Sequence, residues 1–324
     1  MTTANTTIEA KAPALVAAAA AATVRAAPPI QRPGSRRPKR DTRDALIFLS
    51  PWIIGFVLFT AGPIVASLVL SFCRWDVISP ARFIGLANYR QMFHDRLLAV
   101  SLVNTLVYAA MFIPASIVVS LALAMLLNQR LPGMRLFRTI FYLPTLTQGV
   151  ATFAVWSVVF EQQNGLINRA LGTVMRDPPG WLVDPAWAKP ALVIMALWSV
   201  GGMMLIFLAG LQNVPRQLYE SAAIDGAGPL RQFASVTLPM LSPVIFFNLI
   251  MATIGSLQVF SAAFILTGGG PSNSTLFYVY YLFNRAFVHF HMGYASAMAW
   301  LLFSVILALT ILQIRLGKRW VHYG

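Results

Sequence analysis

Six apolar segments dominate the chain, at about 46 to 72, 98 to 127, 137 to 160, 190 to 213, 238 to 266 and 292 to 314. Each reaches or exceeds the ~20 residues that cross ~30 Å of hydrocarbon at ~1.5 Å per residue. All are apolar around the whole helix circumference, as lipid-embedded or bundle-interior helices must be, and the alternation of a β-barrel strand is absent. Composition agrees: 58% of the 324 residues are hydrophobic and 10% charged, too little polar surface to cover a soluble globule of this length. The predicted fold class is an all-α membrane protein with six transmembrane helices.

The net charge of +14 raises nucleic acid as a partner, but the positions of the charges argue against it. Eight of the 24 Lys and Arg lie in the first 43 residues, and most others flank the apolar runs. Placing the N-terminal segment, the 128 to 137 loop with Arg138, the 214 to 237 loop and the C-terminus on one side gives that side sixteen Lys and Arg against eight. This excess predicts that both termini are cytoplasmic. Residues 1 to 44, Ala-rich and then rich in Pro and Arg, read as a disordered basic tail, with the transmembrane domain at 45 to 324. The Ala run at 17 to 22 precedes the basic cluster and lacks a Leu, Ile or Phe core, so a tail is expected in place of a secretion signal.

No predicted span holds Asp, Glu, Lys or His at mid-depth, and Arg138 and Arg315 sit at span ends. A proton- or sodium-coupled carrier usually keeps an intramembrane carboxylate or His as its coupling group. A GxxxxGK[ST] phosphate loop is also missing, so uphill transport by this chain needs energy from a partner. Enzyme signatures fail in the same way: no GxSxG, no HExxH, and His289 and His291 lie together without Cys or carboxylate neighbours. Cys73, the single cysteine, rules out an intrachain disulfide and any multi-cysteine centre.

The most specific signal is the loop NVPRQLYESAAIDGAGPLRQFASVTLP, Asn213 to Pro239. Val214 precedes Pro215 and is pushed out of the helical region, so the fourth span should end there. Pro215 can open a short helix from Arg216 to Ile224, with Tyr219, Ala222 and Ala223 close to one side. Gly226 supplies the positive φ that ends it, and Gly228-Pro229 starts a second short helix. The small Ser221, Ala222 and Ala223 admit a close backbone, Glu220 offers a charged contact, and Asp225 can bond local N–H groups and fix the turn. The two helices and their Gly elbow are expected to project as a knob.

This segment resembles the EAA motif of permease subunits of binding-protein-dependent ABC importers: Glu220, Ser221, Ala222, then Asp225, Gly226, Ala227, and later Leu238-Pro239. Ser221 replaces the Ala usual at the second position and stays small. The resemblance extends over roughly 46 to 316, through LSPWIIGFVLFTAGPIVASLVLSF, Phe83 to Phe93, Phe137 to Trp156, Ile265 to Phe287 and Met292 to Phe303. These segments are similar to carbohydrate-uptake permeases, most of all the larger maltose-type subunit, and the glycerol-phosphate permeases share them. The resemblance implies a type I importer fold in a bacterial plasma membrane. Its further implied parts are a second homologous permease, two ATPase subunits carrying ATP and Mg, and an extracytoplasmic solute-binding protein. The chain itself is implied to bind no cofactor and to couple to the ATPases through the EAA loop.

The resemblance also places a mid-depth sugar site on the spans flanking that loop. Counting from Pro239, the matching positions are Ala252, Gly255, Ser256 and Val259, spaced as one helix face, with Gln258 one residue off it. The face is nearly bare, so it serves equally well as a groove for helix packing. On the fourth span, Trp198, Ser199 and Gly202 fall at matching depth, with Trp198 suited to stack on a sugar ring and Ser199 to hydrogen-bond it. Gly268 to Thr275 reads either as a docking or gating loop or as a plain connector.

Overall fold

The computed structural model describes residues 39–321, except Arg130 and Gln148. Residues 1 to 38, most of the predicted tail, lie outside the described residues. The helices are α1 (Lys39–Phe56), α2 (Gly62–Ser71), α3 (Ala87–Met92), α4 (Arg96–Leu127), α5 (Met134–Leu146), α6 (Val150–Val159) and α7 (Leu166–Leu171). They continue as α8 (Pro185–Leu197), α9 (Gly201–Gln212), α10 (Arg216–Ile224), α11 (Pro229–Gln232), α12 (Leu238–Leu257), α13 (Tyr278–Phe283) and α14 (Met292–Gly317). One small ribbon pairs β1 (Cys73–Arg74) antiparallel with β2 (Arg82–Phe83), Cys73 opposite Phe83.

The contacts divide the chain into two units, Met1–Gly62 and Pro63–Gly324. In the first, α1 begins six residues before the predicted domain boundary at 45, and Trp52 stacks on Phe56 with ring centroids 5.5 Å apart. A π-helical turn, Val57–Ala61, links α1 to α2 without a break, so Arg43–Ser71 is a single apolar helix of 29 residues.

In the second unit α4 is the central element, and α8, α9, α12 and α13 all pack on it. Asp95 caps α4, its carboxylate accepting from the Leu97 and Leu98 amides. The same carboxylate accepts from Tyr281 (2.6 Å), Tyr294 (2.8 Å) and Arg285 (3.3 Å), which ties α13 and the start of α14 to the start of α4. Burial pushes the Asp95 carboxyl up, but the bonds from Tyr281, Tyr294 and the Leu98 amide, with the charge of Arg285, together hold it below the usual carboxylate range. About two and a half turns further along, Asn104 donates to the carbonyls of Asn273 and Leu276, and Thr105 accepts from the Tyr278 amide. The Gly268 to Thr275 segment is therefore pinned to α4. It is also bonded internally, Thr275 donating to the Gly270 carbonyl and Ser274 to that of Pro271.

Among the described residues, four helices are long and apolar enough to cross a membrane: Arg43–Ser71, Arg96–Leu127, Pro229–Leu257 and Met292–Gly317. The pair α8 and α9, which meet at a 51° bend, makes a fifth if the two count as one span. Three predicted spans thus differ from single straight helices. The 137 to 160 segment divides into α5 and α6 around Thr147 to Gly149, where Gly149 has φ 149°. The 190 to 213 segment bends at Trp198 to Val200, and the 238 to 266 segment ends its helix at Leu257, with Gln258 as cap.

Candidate functional site

The three breaks converge. A cavity of about 410 Å³ is lined by Gly149 and Thr152 from the first, Ser199 and Val200 from the second, and Val259, Phe260 and Ser261 from the third, together with Gly255 and Ser256. Tyr108 and Phe112 of α4, Phe153 of α6, and Met195 and Met203 complete the wall. Unwound backbone at membrane depth is tolerated where it is buried in protein or faces a water-filled cavity, because its freed N–H and C=O groups need partners there. One such partner is visible: the Thr145 hydroxyl donates to the Ser199 carbonyl at 3.3 Å, at the α8–α9 bend. The close approach there depends on Gly201, where a Cβ would lie 2.5 Å from the Phe141 carbonyl oxygen.

Of the eight positions predicted for the substrate path, Ser199, Gly255, Ser256 and Val259 line this chamber together. The single helix face does not hold: Ala252 is buried in helix packing, and Val259 lies beyond the end of α12, so its side chain reaches the cavity from the break. Gln258 is an exposed cap, and Gly202 packs with 3.7 Å between its notional Cβ and Thr145. Trp198 is 57% exposed and turns to a separate apolar hollow beside Trp156, whose ring it meets edge-on at 6.1 Å. Sequence reasoning missed Thr152, Phe260 and Ser261. The signals were Gly149 in a Thr-Gln-Gly run and a Gln258 to Ser261 interruption, both read through as span.

The EAA segment forms α10 over Arg216–Ile224, as the Pro215 argument predicts, and α10 is largely exposed. Asp225 is the C-cap and Gly226 follows at φ 77°. The Ala227 amide donates to the Ala222 carbonyl (2.8 Å) and the Gly226 amide to that of Ala223 (3.0 Å). This double bond set is the Schellman motif, so backbone closes the turn. Among the described residues the Asp225 carboxylate accepts none of these amides, which corrects the role expected for it. The second short helix is also corrected: α11 starts at Gly228-Pro229 but runs through a π-helical turn, Phe233–Thr237, straight into α12. α10 is thus braced by the continuous α11–α12 helix. Tyr219 shares a 2.9 Å hydrogen bond with Thr237, and Gln232 donates to the Ala227 carbonyl at 2.9 Å. Glu220 and Ser221 face solvent, flanked by Ile224 and Leu230 at 87% and 85% exposure, while Ala222 and Ala227 are half-buried.

A bundle of broken and unbroken apolar helices around an internal chamber, with a braced helix exposed at one end, defines a multi-pass membrane transport subunit. Residues 101–322 match the family described as binding-protein-dependent transport system inner membrane component, and the chain belongs to that family. It is 40% identical over 294 residues to the probable ABC transporter permease protein YesP of Bacillus subtilis, covering 89% of this chain and 95% of that one. It is 35% identical over 276 residues to the lactose transport system permease protein LacF of Rhizobium radiobacter, covering 82% and 91%. Among solved structures, a chain of a bacterial alginate ABC transporter in complex with its alginate pentasaccharide-bound periplasmic protein shares the fold, with a TM-score of 0.77 at 22% identity, covering 88% of this chain and 98% of that one.

Proposed function

We propose that this chain forms half of the translocation path of an ATP-driven carbohydrate importer in a bacterial plasma membrane. In this reading α5 and α6 together make the third of six spans, and both termini are cytoplasmic. A second homologous permease supplies the other half, two ATPase subunits with ATP and Mg engage α10, and an extracytoplasmic binding protein delivers the solute. Glu220, Ser221, Ala222, Asp225, Gly226 and Ala227 form the coupling surface. Ile224 and Leu230, too exposed to serve the chain's own packing, supply its apolar contacts.

The observation that carries the reading is the chamber between the three helix breaks. Its aromatic walls suit the C–H faces of a sugar ring; the Ser199 and Ser261 hydroxyls can donate to its oxygens, and those of Thr152 and Ser256, which donate to the Thr147 and Thr253 carbonyls, can accept from its hydroxyls. The lining holds no Lys, Arg or His, so a phosphate ester would lose its hydration there without a counter-charge. That disfavours glycerol phosphate relative to an uncharged sugar. Movement arises when ATPase closure, transmitted through α10 to α12, shifts the bundle between outward- and inward-open states.

Reconstitution with the partner subunits tests this. Binding protein loaded with sugar should stimulate ATP hydrolysis, and uptake should require every subunit. Uptake by this chain alone, with no ATPase present, would overturn it.

A further inference from the structure

We propose a second ligand site: a basic cleft at the root of α10 that binds the phosphate headgroup of an anionic phospholipid. The cleft has a volume of about 1070 Å³ and lies among the end of α4, the start of α5, the end of α9 and the start of α10. Arg135 and Arg138 line it from α5 and Arg216 from α10, together with Asn128 and Gln212. Among the described residues its lining contains no Asp or Glu. The ion pair found among the described residues joins Arg285 to Asp95, at the opposite end of α4, so among those residues none of the three cleft arginines has a carboxylate within 4.0 Å.

Three arginines lining one cleft without counter-charge among the described residues raise its positive potential, and an anion seated there relieves that cost. Arg138 is already committed: its Nε and Nη2 donate to the Leu127 carbonyl at 3.2 and 2.8 Å, capping the C-terminus of α4. Arg135 and Arg216 are exposed and, among the described residues, make no such bonds, and their planar forks match phosphate oxygens. Free phosphate shares that chemistry, but it leaves the rim unexplained. Leu131, in the loop between α4 and α5, and Leu136, in the first turn of α5, both line the cleft and are more than half exposed, where acyl chains would cover them. The proposal does not depend on the transport reading, since lipid binding is measured without turnover.

The full chain in detergent, titrated with phosphatidylglycerol or phosphatidylcholine, has its bound lipids counted by native mass spectrometry. Phosphatidylglycerol should be retained in preference to phosphatidylcholine, and Arg135→Gln and Arg216→Gln should each lower retention about fivefold, the factor that one interfacial cation supplies. Arg135→Lys should keep most of it, which separates lost charge from lost fold. Equal retention of both lipids, or Gln variants that bind like wild type, would overturn the site. Displacement of the lipid by millimolar inorganic phosphate would reassign it to a soluble anion. Loss of phosphatidylglycerol when the ATPase subunits are added would reassign the arginines to a protein interface.

Discussion

The Gly226 turn permits a graded test of whether α10 transmits ATPase movement. At φ 77°, with nothing within 4 Å of a notional Cβ, the position penalises a side chain through its backbone conformation alone. Alanine there costs about 1–2 kcal/mol, the ordinary price of a left-handed L-residue, while asparagine, which tolerates that region, costs less. Proline is different in kind. It fixes φ near −65°, about 140° away, and removes the amide that donates to the Ala223 carbonyl, for a cost of about 3 kcal/mol or more. A nine-residue helix is marginal by itself, so a penalty of that size melts α10 while the bundle keeps its fold. Hydrogen exchange over Arg216 to Ala227 should accelerate about 5- to 30-fold in Gly226→Ala and more than 100-fold in Gly226→Pro. Binding-protein-stimulated ATPase activity in proteoliposomes should fall in the same order, reaching the unstimulated rate in the proline variant. A proline variant with α10 melted and wild-type stimulation would refute the coupling role. Equal exchange in all variants would refute the account of the turn.

Other perturbations follow from named contacts. Asp95→Asn keeps a cap for Leu97 and Leu98 but leaves Arg285 unpaired, and should lower stability by about 1–3 kcal/mol in thermal unfolding at neutral pH. Because the folded carboxyl is held below its ordinary value, its contribution is complete above ~pH 4 and lost as pH falls through the folded pKa, so an acid-limb loss should be present in wild type and reduced in the variant. Gly201→Ala drives a Cβ to 2.5 Å from the Phe141 carbonyl oxygen and 2.9 Å from the Tyr142 Cα, and should destabilise by about 1–3 kcal/mol, read as a lower midpoint. Gly255→Leu meets no atom within 4 Å at Cβ and projects into the chamber, so uptake should fall sharply with the unfolding midpoint unchanged.

What could be read from sequence divides along a physical line. Signals set by local backbone chemistry came through: the Val214-Pro215 boundary, the extent of α10 and the positive φ of Gly226 all follow from residues within a few positions of one another. Apolar run length, by contrast, measures transfer into hydrocarbon and says nothing about whether the helix inside it is continuous. Asn248 illustrates the limit. It sits in the middle of α12 at 1% exposure with neither amide atom partnered among the described residues, and nothing in its apolar neighbourhood announces this. The chamber was half legible for the same reason. Gly255, Ser256 and Val259 were reached by counting along an assumed straight helix and Ser199 by matching its depth; Gly255 and Ser256 lie before the end of α12, where counting still works. Phe260 reaches the cavity from the break after α12, Thr152 and Ser261 from the first turns of the helical segments that restart after breaks, and Trp198, at the 51° bend, turns to the separate hollow beside Trp156. The spans whose helices failed to run through are the ones that build the chamber. In an apolar chain without mid-depth charge, polar groups for a solute must come from hydroxyls and from backbone released at breaks, so each interruption of the hydrophobic pattern is itself the signal for the site.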